Sequence, residues 1–183
     1  RKVCEEKSLS LHLDGARLFN ALIAGKESPK NYGKLFHSIS VCLNKGLGCP
    51  IGSILIGKTK FIKKARRIRK VFGGGMRQAG YMAAAGIYAL THNIERLEQD
   101  HEHARKIAET IAQKEFTDFI QPVETNIIIF GVRSSYSNED IVQKLRQENI
   151  LSFTISPTQI RMVLHLGITP EMVDYSIETI KRL

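Results

Sequence analysis

No apolar run in this chain approaches the roughly 20 residues that cross a bilayer, and its opening, Arg1-Lys2-Val3-Cys4-Glu5-Glu6-Lys7, has no signal-peptide core. Neither a membrane-spanning helix nor a cleaved leader is expected. Cysteine is scarce: Cys4, Cys42 and Cys49 only, with no CxxC pair and no Cys/His spacing suited to zinc. That excludes a disulfide framework and gives no reason to expect a metal. Reduced thiols in a cytoplasmic protein are the simple reading. Cys42 and Cys49 flank Lys45, but no histidine or second cysteine lies at a spacing that would activate either one. Internal repeats and low-complexity segments are absent too.

What is present is ordinary in bulk. Hydrophobic residues make up 43% and charged residues 25% of 183 residues, the mixture of a globular protein. The length allows one domain, or part of a larger domain plus a small one. The net charge of +9 is concentrated in Lys58-Thr59-Lys60-Phe61-Ile62-Lys63-Lys64-Ala65-Arg66-Arg67-Ile68-Arg69-Lys70. Phe61, Ile62, Ala65 and Ile68 recur there at helical spacing, which predicts an amphipathic helix with a solvated basic face. A patch for nucleic acid or anionic membrane is the sharper alternative, but no nucleic-acid motif or aromatic interleaving supports it. No nucleic-acid partner and no membrane partner are expected.

Along the chain, Ser10 to Leu13 reads as a short strand ending at Asp14-Gly15, followed by a helix over 16–24 that stops at Gly25. Strands are expected over 38–43 and 53–56, then the basic helix over 60–71. Gly73-Gly74-Gly75 interrupts regular structure. Helices follow over 76–90 and 94–113. Later come a strand over 126–130, a helix capped by Ser137, and a strand pair over 151–155 and 159–165. A last helix opens at Thr169-Pro170. The expected division is 1–93 as an incomplete α/β major domain, 94–114 as a linking helix, and 115–183 as a small α+β domain. Because the first part offers three strands and starts in mid-unit, an N-terminal half is expected to be missing.

Two residues carry the chemical reading. Asp14 ends the first predicted strand and Lys45 follows the second, thirty-one residues later, with a helix between. A βαβ unit brings both strand ends to one edge of a parallel sheet, the edge at which open α/β sheets bind ligands. Asp14-Gly15 alone is usually just a turn, and Lys45 alone reads as an exposed loop lysine. The surroundings of Lys45 do not match the phosphate-loop pattern GxxxxGK[ST]. Together, an acid and a lysine at such an edge suit a Schiff-base cofactor whose ring nitrogen needs a carboxylate partner.

Longer segments point to a family. His12-Leu13-Asp14-Gly15-Ala16-Arg17-Leu18-Phe19-Asn20-Ala21 resembles the HLDGARxxNA motif of the low-specificity threonine aldolases. Ser40 to Ser53, containing Asn44-Lys45-Gly46-Leu47-Gly48, is similar to their cofactor-lysine segment. Gly73-Gly74-Gly75-Met76-Arg77-Gln78-Ala79-Gly80 and the strand Ile160-Arg161-Met162-Val163-Leu164-His165 resemble two later segments. The resemblance runs in order over nearly the whole chain. It implies an α/β fold of the aspartate aminotransferase-like type I: the C-terminal portion of a pyridoxal-phosphate-binding major domain plus a small α+β C-terminal domain.

The resemblance also implies roles. Lys45 would carry pyridoxal 5'-phosphate and Asp14 would bind its pyridine nitrogen. Arg77 would contact the cofactor phosphate, as expected in a neighbouring subunit of a homodimer or homotetramer with shared sites. Arg17 and Arg161 would hold the carboxylate of an amino-acid substrate. Asn44 and Cys49 depart from the family's usual Ser and Ala. The family's phosphate cradle and ring-stacking histidine have no counterpart here, and His12, His37 and His165 are not promoted to replace them. The implied activity is cleavage of L-threonine and L-allo-threonine to glycine and acetaldehyde. Another pyridoxal-phosphate lyase or transaminase, or a fragment that folds or dimerises without catalysis, remain the alternatives.

Overall fold

Alternation and strand-end signals place the first sheet. In the computed structural model, which describes residues 1–183, a short helix α1 (Lys2–Glu6) precedes strand β1 (His12–Gly15). Helices α2 (Leu18–Gly25) and α3 (Pro29–Leu35) lead to β2 (Ser38–Cys42), which lies parallel to β1 with Asp14 opposite Ser40. Ile39 and Val41 alternate inward along β2, as period-two geometry requires, and both are buried. Strand β3 (Ser53–Gly57) pairs antiparallel with β2, giving the order β1-β2-β3.

Two longer helices complete this first unit, Arg1–Glu95. Helix α4 (Thr59–Val71) packs against β3 and buries no residue of its own, so its basic face is solvated as expected. Helix α5 runs Gly80–His92 rather than from Met76. The cause is local: Gly73 and Gln78 have φ of 76° and 51°, left-handed values that a right-handed helix does not admit.

The second unit, Arg96–Leu183, is built on a four-stranded antiparallel sheet ordered β4-β5-β7-β6. Helix α6 (Leu97–Ala112) lies across it with Ala104, Ile107, Ala108 and Ile111 buried. Strand β4 (Thr117–Ile120), β5 (Ile127–Val132), helix α7 (Asn138–Gln147), β6 (Phe153–Ser156), β7 (Gln159–Val163) and α8 (Pro170–Arg182) follow. Ile128, Phe130 and Ile160 are almost wholly enclosed against α6 and its neighbours. The expected Ser137 cap forms, its hydroxyl accepting from Asp140 N–H at 3.2 Å, and at the start of α8 the Thr169 hydroxyl accepts from Met172 N–H at 3.4 Å.

Candidate active site

The first candidate residue is set by a glycine. Gly15 ends β1, and a Cβ built there would sit 2.6 Å from the backbone oxygen of Ser40. Only glycine lets β1 and β2 lie this close at their carboxyl ends. Asp14, just before it, is exposed, and one carboxylate oxygen accepts from Ala16 N–H at 3.2 Å. That bond turns the chain into α2, and the carboxylate stays exposed at the strand end. Arg17, half-buried, stands at the head of α2, three residues beyond Asp14.

Lys45 lies three residues past the end of β2, on the same carboxyl edge as Asp14. Its side chain is exposed, while Gly46 and Leu47 beside it are buried. Backbone bonds fold the segment over itself: Gly48 N–H to Lys45 O at 2.9 Å, Cys49 N–H to Leu43 O at 3.0 Å, and Leu43 N–H to Gly52 O at 2.9 Å. Helix α5 backs the loop. The Cys49 thiol donates to Ala85 O at 3.5 Å, and the Asn93 amide to Leu47 O at 2.8 Å. Burial pushes the Cys49 thiol up from its ordinary value, so it is a packed neutral group and not an activated nucleophile.

The remaining residues fall in other places. Arg77 is exposed, in the bend between the glycine run and α5. In the second unit, Arg161 stands on β7 opposite Ile129 and Phe153, with its guanidinium carbon 5.8 Å from the Phe153 ring centroid. Its Nε is shielded from solvent and has no hydrogen-bond partner. A buried donor left open in this way is costly unless something completes it.

Three histidines have local partners. His37 Nδ1 accepts from Leu11 N–H at 2.8 Å, His12 Nδ1 lies 2.8 Å from the Ser38 hydroxyl, and His165 Nδ1 accepts from Gly167 N–H at 3.1 Å. Asn93 was not foreseen from the sequence. It contacts a residue 46 positions earlier, and no local spacing signals that.

The groups at the sheet edge fit a pyridoxal cofactor in kind: an exposed primary amine for its carbonyl carbon and an exposed carboxylate for its ring N–H. A carboxylate and an amine at adjacent parallel strand ends define an α/β protein with its ligand edge at the strand termini. The chain belongs to the beta-eliminating lyase family, whose model matches residues 1–135. It is 37% identical over 185 residues to a probable low-specificity L-threonine aldolase 2 of Arabidopsis thaliana, covering 100% of this chain and 52% of that one. It is 40% identical over 168 residues to the low-specificity L-threonine aldolase of Escherichia coli K12, covering 92% and 49% respectively. The chain thus spans about half the length of the curated relatives it matches.

Among solved structures, a putative aromatic amino acid beta-eliminating lyase/threonine aldolase from an Exiguobacterium species superposes with a TM-score of 0.81 at 23% identity, over 99% of this chain and 54% of that one. A putative L-allo-threonine aldolase from Listeria monocytogenes gives 0.80 at 21%, with the same coverages. At these identities the likeness shows the fold, which is the α/β class expected.

Proposed function

We propose that the protein is a pyridoxal-phosphate-dependent aldehyde-lyase that cleaves L-threonine and L-allo-threonine at the Cα–Cβ bond, giving glycine and acetaldehyde. The observation that carries this is the placing of Asp14 and Lys45 on the carboxyl ends of adjacent parallel strands, closed together at Gly15. The identities to named threonine aldolases support the substrate class.

Bound pyridoxal phosphate supplies a carbonyl that captures an amine and a π system that accepts the electrons of a bond broken at the α-carbon. Lys45 would hold the cofactor through its ε-amine. Asp14 would accept a hydrogen bond from the ring nitrogen, its negative charge favouring a proton there. Arg77 offers a cation for the phosphate, in a homodimer or homotetramer with shared sites. Arg17 and Arg161 are assigned to the substrate carboxylate. The planar guanidinium matches that group and stays charged at any working pH. Holding the carboxylate would fix the orientation of the Cα–Cβ bond, and orientation of this kind contributes up to about 7–11 kcal/mol at the limit. The unpaired, free cysteines fit a cytoplasmic setting.

The test is a visible absorbance titration of the chain with pyridoxal phosphate, followed by borohydride reduction and peptide mapping. Label on Lys45 is expected, together with acetaldehyde release from threonine. Asp14→Ala should weaken cofactor binding by about tenfold or more, the loss of one charge-assisted hydrogen bond. Label scattered over surface lysines would remove the cofactor assignment. Label on Lys45 without acetaldehyde would point to another pyridoxal-phosphate reaction, or to a chain that holds the cofactor without catalysis.

A further inference from the structure

Lys45 has no regular element beneath it. Its carbonyl takes a turn bond from Gly48, and the loop around it bends at Gly48 and Gly52, whose φ values are 74° and 121°. Such a loop needs outside support to present its lysine at one height. Helix α5 gives it three contacts. A Cβ built on Gly86 would lie 3.3 Å from Leu43 Cδ1, so helix and loop are in close apolar contact there. The Cys49 thiol bonds Ala85 O, a weak interaction at 3.5 Å. The third contact differs in strength and direction. Asn93 Nδ2 donates to Leu47 O at 2.8 Å, and Leu47 is 2% exposed, so water is a poor substitute for this donor.

Asn93 is also well anchored. Its own N–H bonds Ala89 O at 2.9 Å as the C-cap of α5. One residue, the buried Gly46, separates Leu47 from Lys45. We infer that Asn93 is a positioning residue for Lys45: its carboxamide, acting through the Leu47 carbonyl, ties the lysine loop to the end of α5. The inference rests on the reading of Lys45 as the cofactor lysine, while the clamp itself is a property of the loop.

The experiment uses the full chain and Asn93→Asp, which keeps the side chain's shape but sets an oxygen against the Leu47 carbonyl. Asn93→Ala serves as the second variant should the aspartate prevent folding. Two quantities are read: amide hydrogen exchange by site, and the share of borohydride-fixed pyridoxal phosphate on Lys45 relative to Lys58. The amides of Gly48 and Cys49 are expected to exchange about tenfold faster, the equivalent of one lost hydrogen bond, with β1 and β2 unchanged. The Lys45 share is expected to fall about fivefold through loss of orientation.

A rise in exchange spread evenly over β1 and β2 would make Asn93 a general support and overturn the inference. Unchanged loop exchange with an unchanged Lys45 share would overturn it too. If the unsubstituted chain takes no label at Lys45, the cofactor reading fails. The loop exchange then decides the clamp alone: a selective rise upholds it and no change overturns it.

Discussion

At the scale of single residues, buried charge in the second unit makes two sharp demands. Asp100 is fully buried in the first turn of α6, and its one ion pair is to Arg96 at 2.6 Å. Its other oxygen has no partner. The positive end of the helix dipole helps the carboxylate but does not replace the guanidinium. Arg96→Ala should therefore cost about 3–5 kcal/mol, because the remaining charge is stranded away from water. Adding Asp100→Asn should recover much of that loss, and denaturant unfolding reads both. A cost near zero for Arg96→Ala would show that the helix terminus alone holds the carboxylate. His101, next in sequence, is buried as well. Burial lowers its pKa below the ordinary 6.5, with Arg105 acting in the same direction and Asp100 and Glu98 opposing it. A lowered histidine pKa means that the unfolded chain takes up the proton first. Stability is then whole above about pH 6.5 and is lost as pH falls toward the folded value. Exchange of the second unit's core amides should quicken over that range, and His101→Gln should flatten the slope. Equal slopes in both proteins would remove His101 as the cause.

At the scale of elements, the pairing of β1 with β2 sets the candidate site, and Gly15 sets the pairing. A Cβ there meets a backbone oxygen, not the end of a mobile side chain, so relief requires the strands to part. Gly15→Ala should cost about 1–3 kcal/mol by overpacking and should loosen cofactor binding as well. Gly33→Ala, with nothing within 4 Å of the added carbon, is the control expected to do neither. A Gly15→Ala chain with unchanged unfolding and cofactor affinity would mean that the strand ends tolerate separation. The β1–β2 edge was legible from sequence because strand-end turn residues and apolar alternation are local signals. Other elements were not. Helix α3 (Pro29–Leu35) buries no residue, and Gly33 breaks its apolar pattern, so periodicity gave no signal there. Strand β4 is four residues long, with a register shift between Thr117 and Phe119, too short and irregular for alternation to show. The late start of α5 depended on left-handed backbone at Gln78, a residue type that gives no warning. The Asn93–Leu47 bond needs the folded arrangement of loop and helix, and no sequence spacing contains it.

At the scale of the whole molecule, charge is divided unequally between the two units. Arg1–Glu95 holds seventeen lysines and arginines against five acidic residues, while Arg96–Leu183 holds ten against thirteen. The net charge of +9 is thus a property of the unit that carries Asp14 and Lys45. No residue between Ser28 and Ile94 is acidic, so Lys45 and Arg77 sit in an uninterrupted cationic stretch. A basic helix read alone suggests a nucleic-acid patch. A unit with so large an excess of positive charge has another consequence, since it attracts small anions. Pyridoxal phosphate is such an anion. Its rate of association with the chain should fall roughly tenfold between about 0.01 M and 1 M salt, as the screening length shrinks from about 30 Å to about 3 Å. Its dissociation rate should change much less, because the contacts proposed at Lys45 and Asp14 are too short to be screened. Stopped-flow absorbance at several salt concentrations separates the two rates. A salt effect confined to association would assign the cationic stretch to steering the cofactor. An effect confined to dissociation would place the phosphate in direct contact with exposed cations, Arg77 first among them. A flat association rate would show that the excess charge plays no part in capture.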